Sequence, residues 1–271
     1  MIAAVFGRAG LGQLGLGLAL PFALVVIWEA LGRGGVVPQG ILPAPSLVGQ
    51  AWWDWAFADP GMGLNPYLGT WGETVLFSAR RVFTGFACAI GIGVPMGIMI
   101  GWNGLVAGAV DPLIQSLRPI PITAWLPFAI AVFGIRDAGA VFLIGLGAFF
   151  PIVVNSTAGA RDVPRNLIRA ARMMGANERQ LLLRVVLPAA LPNVFTGMRL
   201  GLGIAWTAVI VAEIVAVKSG LGYVLWDAYY VGRMDVVIAD MVSIGIAGFL
   251  SDRVLVAAQH RVLHWKQAAR A

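Results

Sequence analysis

Apolar runs of membrane-spanning length recur along this chain and restrict its fold more than any other feature. About 20 apolar residues in a helix cross the hydrocarbon core of a bilayer. Because lipid offers no hydrogen-bond partners, such a run must satisfy its own backbone groups, as a helix does. The sequence therefore predicts an all-α membrane protein with six transmembrane helices, at 14–32, 82–101, 112–134, 138–158, 194–216 and 236–256.

The composition agrees with a membrane location. Of the 271 residues, 59% are hydrophobic and 12% are charged, whereas soluble domains carry about 25% charged residues. The net charge is +6, but the basic residues lie in loops and near the chain ends, as expected for retention on the cytoplasmic side. We therefore expect no nucleic-acid partner. The single cysteine, Cys88, cannot form an internal disulfide, and we expect it to be buried.

Two of the apolar runs have special features. The first is longer than the apolar part of a typical signal peptide and holds Glu29 near its far end, so we interpret it as a retained helix. The third is interrupted by Arg118-Pro-Ile-Pro121. Because proline lacks an N–H and kinks a helix, we predict that this span is broken there.

The distribution of basic residues predicts the orientation of the chain. If both termini are cytoplasmic, ten Arg and Lys residues near the span ends lie inside and six lie outside. Six of the ten belong to the segment 160–190. This bias favours cytoplasmic termini, with Arg80 and Arg81 as the exception.

The long segment 33–79 follows the first span and is predicted to lie outside the cytoplasm. Its Ile41-Leu-Pro-Ala-Pro-Ser46 is typical of a rigid turn, and Ser46 is a candidate cap for a short helix. That helix would carry three tryptophans between positions 52 and 55. We interpret it as an anchor at the membrane interface in preference to a ligand-stacking site.

The segment 160–190 is charged although it lies between two apolar runs. Asp162 and Pro164 are expected to start a short helix, and Gly175 to end it, because glycine readily adopts the left-handed conformation. Asn177 with Gln180 three residues later resembles a capping box, so a second helix is expected. We expect this second helix to run to Pro188.

Two functions fit such a basic, amphipathic helix–turn–helix. It could rest on anionic lipid headgroups, or it could be a docking surface for a cytoplasmic protein. The small side chains of Ala170 and Ala171 favour docking, since they allow close approach and add little membrane-binding area. Physical chemistry alone leaves both readings open.

The same stretch resembles the signature loop of ABC-importer permeases, E-A-A-x3-G-x9-I-x-L-P. Arg169 stands where that motif has Glu, so an ion pair made by the Glu is not expected here in the same form. Other stretches, including 42–46, 118–127, 191–206 and 220–223, are similar to the taurine, alkanesulfonate and nitrate branch of this family. The motif positions that match are Ala170, Ala171, Gly175, Val185, Leu187 and Pro188.

The resemblance implies a single permease domain, 1–271, with the type I ABC-importer permease fold. Its insert at 160–190, between spans 4 and 5, would fit a groove on a cytoplasmic ATPase. A phosphate-binding loop needs a lysine in G-x-x-x-x-G-K-[ST], and neither Lys218 nor Lys266 has that context. ATP and Mg are therefore expected on a partner ATPase, with no cofactor and no catalytic residue in this chain. Docking is expected on Arg169, Ala170, Ala171, Gly175, Ala176, Leu187 and Pro188.

The resemblance also implies the partners and the cargo. We expect a homodimer in the bacterial inner membrane, because six helices are too few to enclose a gated path, with two ATPase subunits and a periplasmic binding protein. The cargo would be a small organosulfonate such as taurine first, and nitrate next. The alternative is a secondary transporter or channel that works without an ATPase. It would be favoured by paired broken helices in two repeats, which the sequence does not show.

Ionisable groups at membrane depth are expensive and usually face protein or a water-filled path. Arg199 is interpreted as an anchor at the cytoplasmic end of the fifth span. For Glu213, pairing with an arginine of another helix is weighed against a place on the path. His260 and His264 are interpreted as surface residues, with no metal site. The residues predicted for a translocation path are Arg118, Trp125, Trp206 and Glu213.

Overall fold

The computed structural model describes residues 11–35, 38, 40–59 and 66–264, with side chains from residue 19 onward. All regular structure in this part is helical, which confirms the predicted fold class. The helices are α1 (Leu11–Arg33), α2 (Pro45–Phe57), α3 (Trp71–Trp102), α4 (Gly104–Leu117), α5 (Leu126–Phe133) and α6 (Asp137–Arg161). They continue with α7 (Arg165–Met173), α8 (Glu178–Leu181), α9 (Leu187–Ala216), α10 (Leu221–Tyr230) and α11 (Met234–Val262).

Four of the described helices are long and apolar enough to cross a membrane: α3, α6, the continuous helix Glu178–Ala216 that includes α9, and α11. A fifth crossing is possible if α4 and the segment Ile122–Phe133 form one span. These two pieces meet at 95°, so the predicted break at Arg118–Pro121 is confirmed. The first predicted span lies on α1, and the count of six stays a prediction.

Helix α3 begins at Trp71, well before the predicted start at residue 82. Arg80 and Arg81 therefore lie inside a helix, and the segment 33–79 is shorter as a loop than predicted. The start predicted from the apolar run was too late, because the helix also contains Ser78 and Arg81, which are polar yet buried. Cys88, expected to be buried, is exposed on α3.

The described residues divide into two compact units, and the first holds residues up to Gly72 together with Val224–Val242. Within it, the Trp28 indole N–H donates to the Pro43 carbonyl over 3.0 Å. Ser46 does not cap α2, because Ala44 is the N-cap residue and Pro45 opens the helix. The Ser46 hydroxyl donates instead to Glu29, over 2.9 Å, which ties α2 to α1.

The tryptophans of α2 face different surroundings. Trp55 is buried and its indole N–H donates to the Thr70 hydroxyl over 3.2 Å. Trp52 packs edge-on against Trp71, with ring centroids 5.5 Å apart. Only Trp53 among the three is largely exposed. The interfacial-anchor interpretation therefore fits Trp53, while Trp55 stabilises the interior of this unit.

The second unit, Glu73–Tyr223 with the described residues from Ser243 onward, is built on α3, α6 and α9. Small residues let these helices approach closely. A Cβ at Gly97 of α3 would lie 2.5 Å from the Val153 carbonyl of α6, and one at Gly201 of α9 would lie 2.9 Å from the Ala148 carbonyl. The bundle thus has two ends: α3 and α6 begin where α9 finishes, and they finish near the segment 160–190.

Candidate functional site

The insert 160–190 begins with a short helix, α7, as predicted, but its start differs. Asp162 does not cap α7; it closes α6, and its backbone N–H donates to the Ala158 carbonyl over 2.9 Å. Pro164 precedes the helix with φ −58° and no side-chain cap. The fixed φ of proline supplies the entry to the helix that a cap was expected to supply.

The turn that follows α7 has the predicted chemistry. Gly175 lies at φ +83°, in the left-handed region that favours glycine. Its N–H donates to the Arg172 carbonyl over 2.9 Å, and the Ala176 N–H donates to the Ala171 carbonyl over 3.1 Å. These bonds satisfy carbonyls that the end of the helix leaves free. The prediction that Gly175 ends the first helix is confirmed.

The second helix of the insert opens with a complete capping box. The Asn177 side chain accepts from the Gln180 N–H over 2.9 Å, and the Gln180 side chain accepts from the Asn177 N–H over 3.0 Å. This confirms the predicted start. Each bond satisfies a donor that the first turn of a helix leaves unpaired.

The second helix does not stop at Pro188, contrary to the prediction. It continues from α8 through a wider π turn, Leu182–Val186, into α9, so that Glu178–Ala216 is one helix of 39 residues. The Leu187 N–H donates to the Leu182 carbonyl, five residues back. A π turn relaxes the helix just before Pro188, whose ring and missing N–H would otherwise disturb it.

The two exposed faces of α7 differ in chemistry. Ala171 is buried, and Ile168 packs against the core cluster formed by Val163, Val186 and their neighbours. On the outside, Met173 is 89% exposed and Met174 is 82% exposed. With Leu167 and Ala170 they form an apolar surface, which we call the docking face. Arg165, Arg169 and Arg172 lie beside it along a second, basic face.

The residues predicted to dock an ATPase fall into two groups. Arg169, Ala170 and Gly175 are exposed, whereas Ala171 is buried and Leu187 packs against the same core cluster. Ala176 and Pro188 are half-buried. The first group is available to a partner, and Leu187 connects the insert to the cluster of α3, α6 and α9.

A cavity of about 500 Å³ lies beside the break in the third predicted span. Arg118 and Asn155 line it together with apolar side chains that include Ile122, Phe150 and Ile204. Among the described residues Arg118 has no ion-pair partner. Of the four predicted path residues only Arg118 lines this cavity.

Glu213 lies in a buried network instead. Its carboxylate is 0% exposed and accepts from the Arg81 guanidinium over 2.7 Å and from the Ser78 hydroxyl over 2.8 Å. The Gly222 N–H donates to it over 2.9 Å. The prediction that Glu213 pairs with an arginine of another helix is confirmed, since Arg81 belongs to α3.

Arg81 is the centre of this network and is 6% exposed. It also donates to Asp137 at the start of α6, over 2.6 Å, and to the carbonyl and hydroxyl of Ser219, over 2.8 and 2.7 Å. Four acceptor atoms from three residues thus converge on one guanidinium. Ser78, Arg81 and Asp137 were not predicted as site residues. The pair Arg80-Arg81, which did not fit the charge bias of the loops, was the signal in the sequence that could have indicated them.

The two tryptophans predicted for the path pack inside the second unit. Trp206 is buried and its ring lies 3.8 Å from where a Cβ at Gly248 would be. Trp125 packs against the cluster of Ala129, Leu143 and neighbours. Neither indole N–H has a hydrogen-bond partner among the described residues. The geometry supports packing for both, and the path role stays a prediction.

The remaining polar residues behave as structural groups. Arg199, predicted to be an anchor, forms a two-pronged ion pair with Asp252 of α11, over 2.8 and 3.0 Å. His260 and His264 are exposed, as predicted. Across the part of the chain that the structure describes, no three His, Cys, Asp or Glu residues are grouped to hold a metal ion.

The helical bundle and its charged insert define a membrane permease, and the comparisons agree. The family of binding-protein-dependent transport system inner membrane components matches residues 93–264. The chain belongs to this family. Its members are non-catalytic inner-membrane subunits that work with ATPase subunits and a binding protein, so this chain is the permease subunit of an ABC importer.

Similar proteins cover most of the chain. A putative ABC transporter permease of Methanocaldococcus jannaschii is 40% identical over 94% of this chain and 93% of its own length. The nitrate import permease of a Synechocystis species is 34% identical, over 86% and 83%. A putative aliphatic sulfonates transport permease of Bacillus subtilis is 32% identical, over 93% and 88%. These relatives favour the importer over a transporter or channel that works without an ATPase.

A solved structure shows the same fold. The methionine ABC transporter MetNI, in an inward-facing conformation, superposes with a TM-score of 0.60 at 21% sequence identity. The match covers 72% of this chain and 99% of the chain compared. The predicted type I ABC-importer permease fold is therefore confirmed.

Proposed function

We propose that this permease imports a small anion by alternating access, driven by two partner ATPases that bind ATP and Mg. The observation that carries the proposal is the insert, a capped helix–turn–helix with a bare apolar face in a chain of the importer family. Large exposed apolar side chains outside lipid mark surfaces that a partner covers. Two adjacent methionines suit such a surface, because their flexible side chains adapt to a groove.

The insert is connected to the membrane helices in a way that suits coupling. Ile168 and Leu187 pack against the core cluster at one end of α3, α6 and α9. The continuous helix Glu178–Ala216 links the insert directly to the fifth predicted span. A displacement of the second helix of the insert by an ATPase would therefore be passed to α9 along one continuous helix. Such a packed element with two arrangements is a physical basis for alternating access.

The complex would contain two copies of this chain. The cavity beside Arg118 is open to the surface of the chain, and we place the translocation path there, at the interface with the second copy. With the insert on the ATPase side, both termini are cytoplasmic and the Arg81 network lies at the periplasmic end. A periplasmic binding protein would deliver the cargo at that end.

The cavity also supports a small anion as the cargo. Arg118 supplies a guanidinium that has no ion-pair partner within the described residues, and Asn155 lines the same cavity. A guanidinium suits the planar or tetrahedral oxygens of nitrate or a sulfonate. The apolar walls favour an organosulfonate, taurine or an alkanesulfonate, over nitrate, because nitrate has no apolar part to cover them. Relatives named for nitrate and for aliphatic sulfonates support a small anion as the cargo.

The docking role is tested by Gly175→Asp. At φ +83° a side chain strains the turn between α7 and α8, and a carboxylate is placed at the edge of the docking face. We expect the variant to insert in the membrane but to lose most of the ATPase subunit on co-purification. Unchanged complex formation and unchanged coupled ATPase activity would refute the docking assignment.

Gly232→Asp is the matched control for this experiment. Gly232 has φ +73° and no heavy atom within 4 Å of a built Cβ, so it carries the same backbone strain far along the chain from the insert. We expect as much ATPase subunit to co-purify with Gly232→Asp as with the parent chain. A loss as large as that of Gly175→Asp would show that strain alone causes the effect.

The importer function is tested by transport into proteoliposomes that hold the permease, its ATPase and its binding protein. Uptake of radiolabelled taurine should require ATP, and unlabelled alkanesulfonate should compete more strongly than nitrate. Arg118→Gln should lower uptake while the ATPase subunit still co-purifies as with the parent chain. Arg118→Lys should retain part of the uptake. Uptake that persists without the ATPase subunit would overturn the proposal.

A further inference from the structure

The basic face of α7 borders a groove beside the docking face, and of the residues that line this groove only Arg169 is also a predicted docking residue. Arg165, Arg169 and Arg172 line it on one side, and Trp102, Asn103 and Gly104, between α3 and α4, line it on the other. Its volume is about 490 Å³. We call it the basic groove.

The charge of the basic groove is not neutralised by the described residues. Arg172 pairs with Glu178 over 2.9 Å, and Glu178 is the only acidic residue that lines the groove. Arg165 and Arg169 form no ion pair within the described part of the chain. Two guanidinium groups thus face the groove with their donors available. Arginine binds phosphate through two parallel N–H bonds, which makes it well suited to a phosphate ligand.

The groove lies at the level of lipid headgroups. In α3, the last charged residue before Trp102 is Arg81, and the stretch between them spans about 30 Å at a helical rise of about 1.5 Å per residue. That length matches the hydrocarbon core of a bilayer, so Trp102 falls at the interface, where tryptophan is enriched.

An exposed apolar side chain directly follows the groove residues Asn103 and Gly104 in the chain. Leu105, next to Gly104 at the start of α4, is 87% exposed. A lipid acyl chain that lies against Leu105 would bring its headgroup to the arginines. A soluble anion would leave this surface uncovered.

We propose that the basic groove binds the phosphodiester headgroup of an anionic phospholipid. Arg165 and Arg169 hold the phosphate, and Leu105 contacts an acyl chain. Basic pockets between helices at a membrane surface are suited to such headgroups. The docking face is centred on another side of the insert, at Leu167, Ala170 and Met174, and Arg169 lies at the boundary, on the same side as Met173 four residues later. The insert would thus hold the membrane with one face and the ATPase with the other.

Native mass spectrometry of the full-length permease tests this proposal. The purified chain is mixed with equal amounts of phosphatidylglycerol and phosphatidylcholine, and retained lipid is counted after detergent is removed in the instrument. We expect several-fold more phosphatidylglycerol than phosphatidylcholine. In Arg165→Gln/Arg169→Gln this preference should fall to near equality.

Arg179→Gln is the matched control. Arg179 belongs to the same insert and is exposed, but it does not line the basic groove. Its loss removes one positive charge from the insert, and the lipid preference should stay as in the parent chain. An equal fall in Arg179→Gln would show that general charge, and no specific groove, holds the lipid, and would overturn the proposal.

Two further arms separate the lipid from other anions. Excess inorganic phosphate should leave the phosphatidylglycerol adducts in place, since it cannot contact Leu105; full displacement would assign the groove to a free anion. Equal retention of both lipids by the parent chain would also refute the proposal, as would an unchanged lipid preference in the double variant. The assay uses the permease without its ATPase, so failure of the docking assignment and failure of lipid binding are distinguishable.

Discussion

Arginine side chains have opposite surroundings at the two ends of the α3–α6–α9 bundle. At one end Arg81 is buried, and four acceptor groups, three side chains and one backbone carbonyl, accept its hydrogen bonds. At the other end Arg165 and Arg169 are exposed and have no ion-pair partner within the described residues. Arginine thus stabilises the packing of the helices at one end and is accessible to partners at the other.

The difference indicates which end is fixed and which is reserved for partners. A buried ion pair whose partners are all satisfied resists movement, because removal of one charge leaves the other stranded. Exposed charges without an ion-pair partner and exposed methionines lower the stability of the free chain little, and they gain contacts when a partner binds. We infer that the Arg81 end holds the helices together while the insert end receives ATPase and membrane.

The largest effect is expected at the fixed end. Arg81→Ala leaves the Glu213 carboxylate buried without its counter-charge, which should cost about 3–5 kcal/mol of stability. Unfolding of the purified permease, followed by circular dichroism during a detergent titration, measures the loss. Arg80→Ala is the matched control: Arg80 is exposed and has no ion-pair partner within the described residues, so a change within about 0.5 kcal/mol is expected. Equal losses in both variants would contradict the network.

A double variant shows whether the Arg81–Glu213 ion pair itself stabilises the fold, or whether Arg81→Ala destabilises it only by leaving Glu213 without its partner. Arg81→Met with Glu213→Leu removes both charges and keeps similar volume. Well-packed apolar replacements of buried ion pairs are often neutral or stabilising. We expect the double variant to recover much of the loss seen in Arg81→Ala; a further loss instead would show that Ser78, Asp137 and Ser219 depend on the charges.

A smaller effect is expected at the loop that closes the network. A Cβ at Gly220 would lie 2.3–2.5 Å from the Glu213 carboxylate, and Gly220 has φ +103°. Gly220→Ala should therefore destabilise the permease by about 1–3 kcal/mol, since both crowding and backbone strain act there. In Gly203→Ala of α9 the added Cβ meets no atom within 4 Å, and a gain of about 0.5–1 kcal/mol is expected. A change in stability of the same sign in both variants would contradict this comparison.

The smallest effect is expected at the open end. Asn177→Ala removes the capping box of α8 and should cost about 1 kcal/mol, confined to the insert. Hydrogen exchange of residues 178–186 should accelerate, while exchange in α3 and α6 stays unchanged. Asn166→Ala in α7, where no side-chain bond is lost, should leave exchange of the same residues unaffected. Faster exchange throughout α3 would mean that the insert end is as tightly coupled as the Arg81 end.

Local chemistry explains what was predictable in the insert. The glycine turn at 175 and the capping box of Asn177 and Gln180 involve residues within three or four positions of one another, and both are present as expected. The break at Arg118–Pro121 follows from proline in the same way. Pro188 was misread, because a π turn can accommodate a proline and nothing in the neighbouring sequence indicates a π turn.

The sequence by itself determined the helical class, the position of most spans, the broken span and the caps of the insert, because each depends on solvation or on bonds between near neighbours. Only the tertiary structure decided which polar residues are buried together. Arg81 and Glu213 are 132 positions apart, and no local rule pairs groups at that distance. Their contact depends on how α3 and α9 pack. The basic groove likewise exists only because α7 folds back beside Trp102.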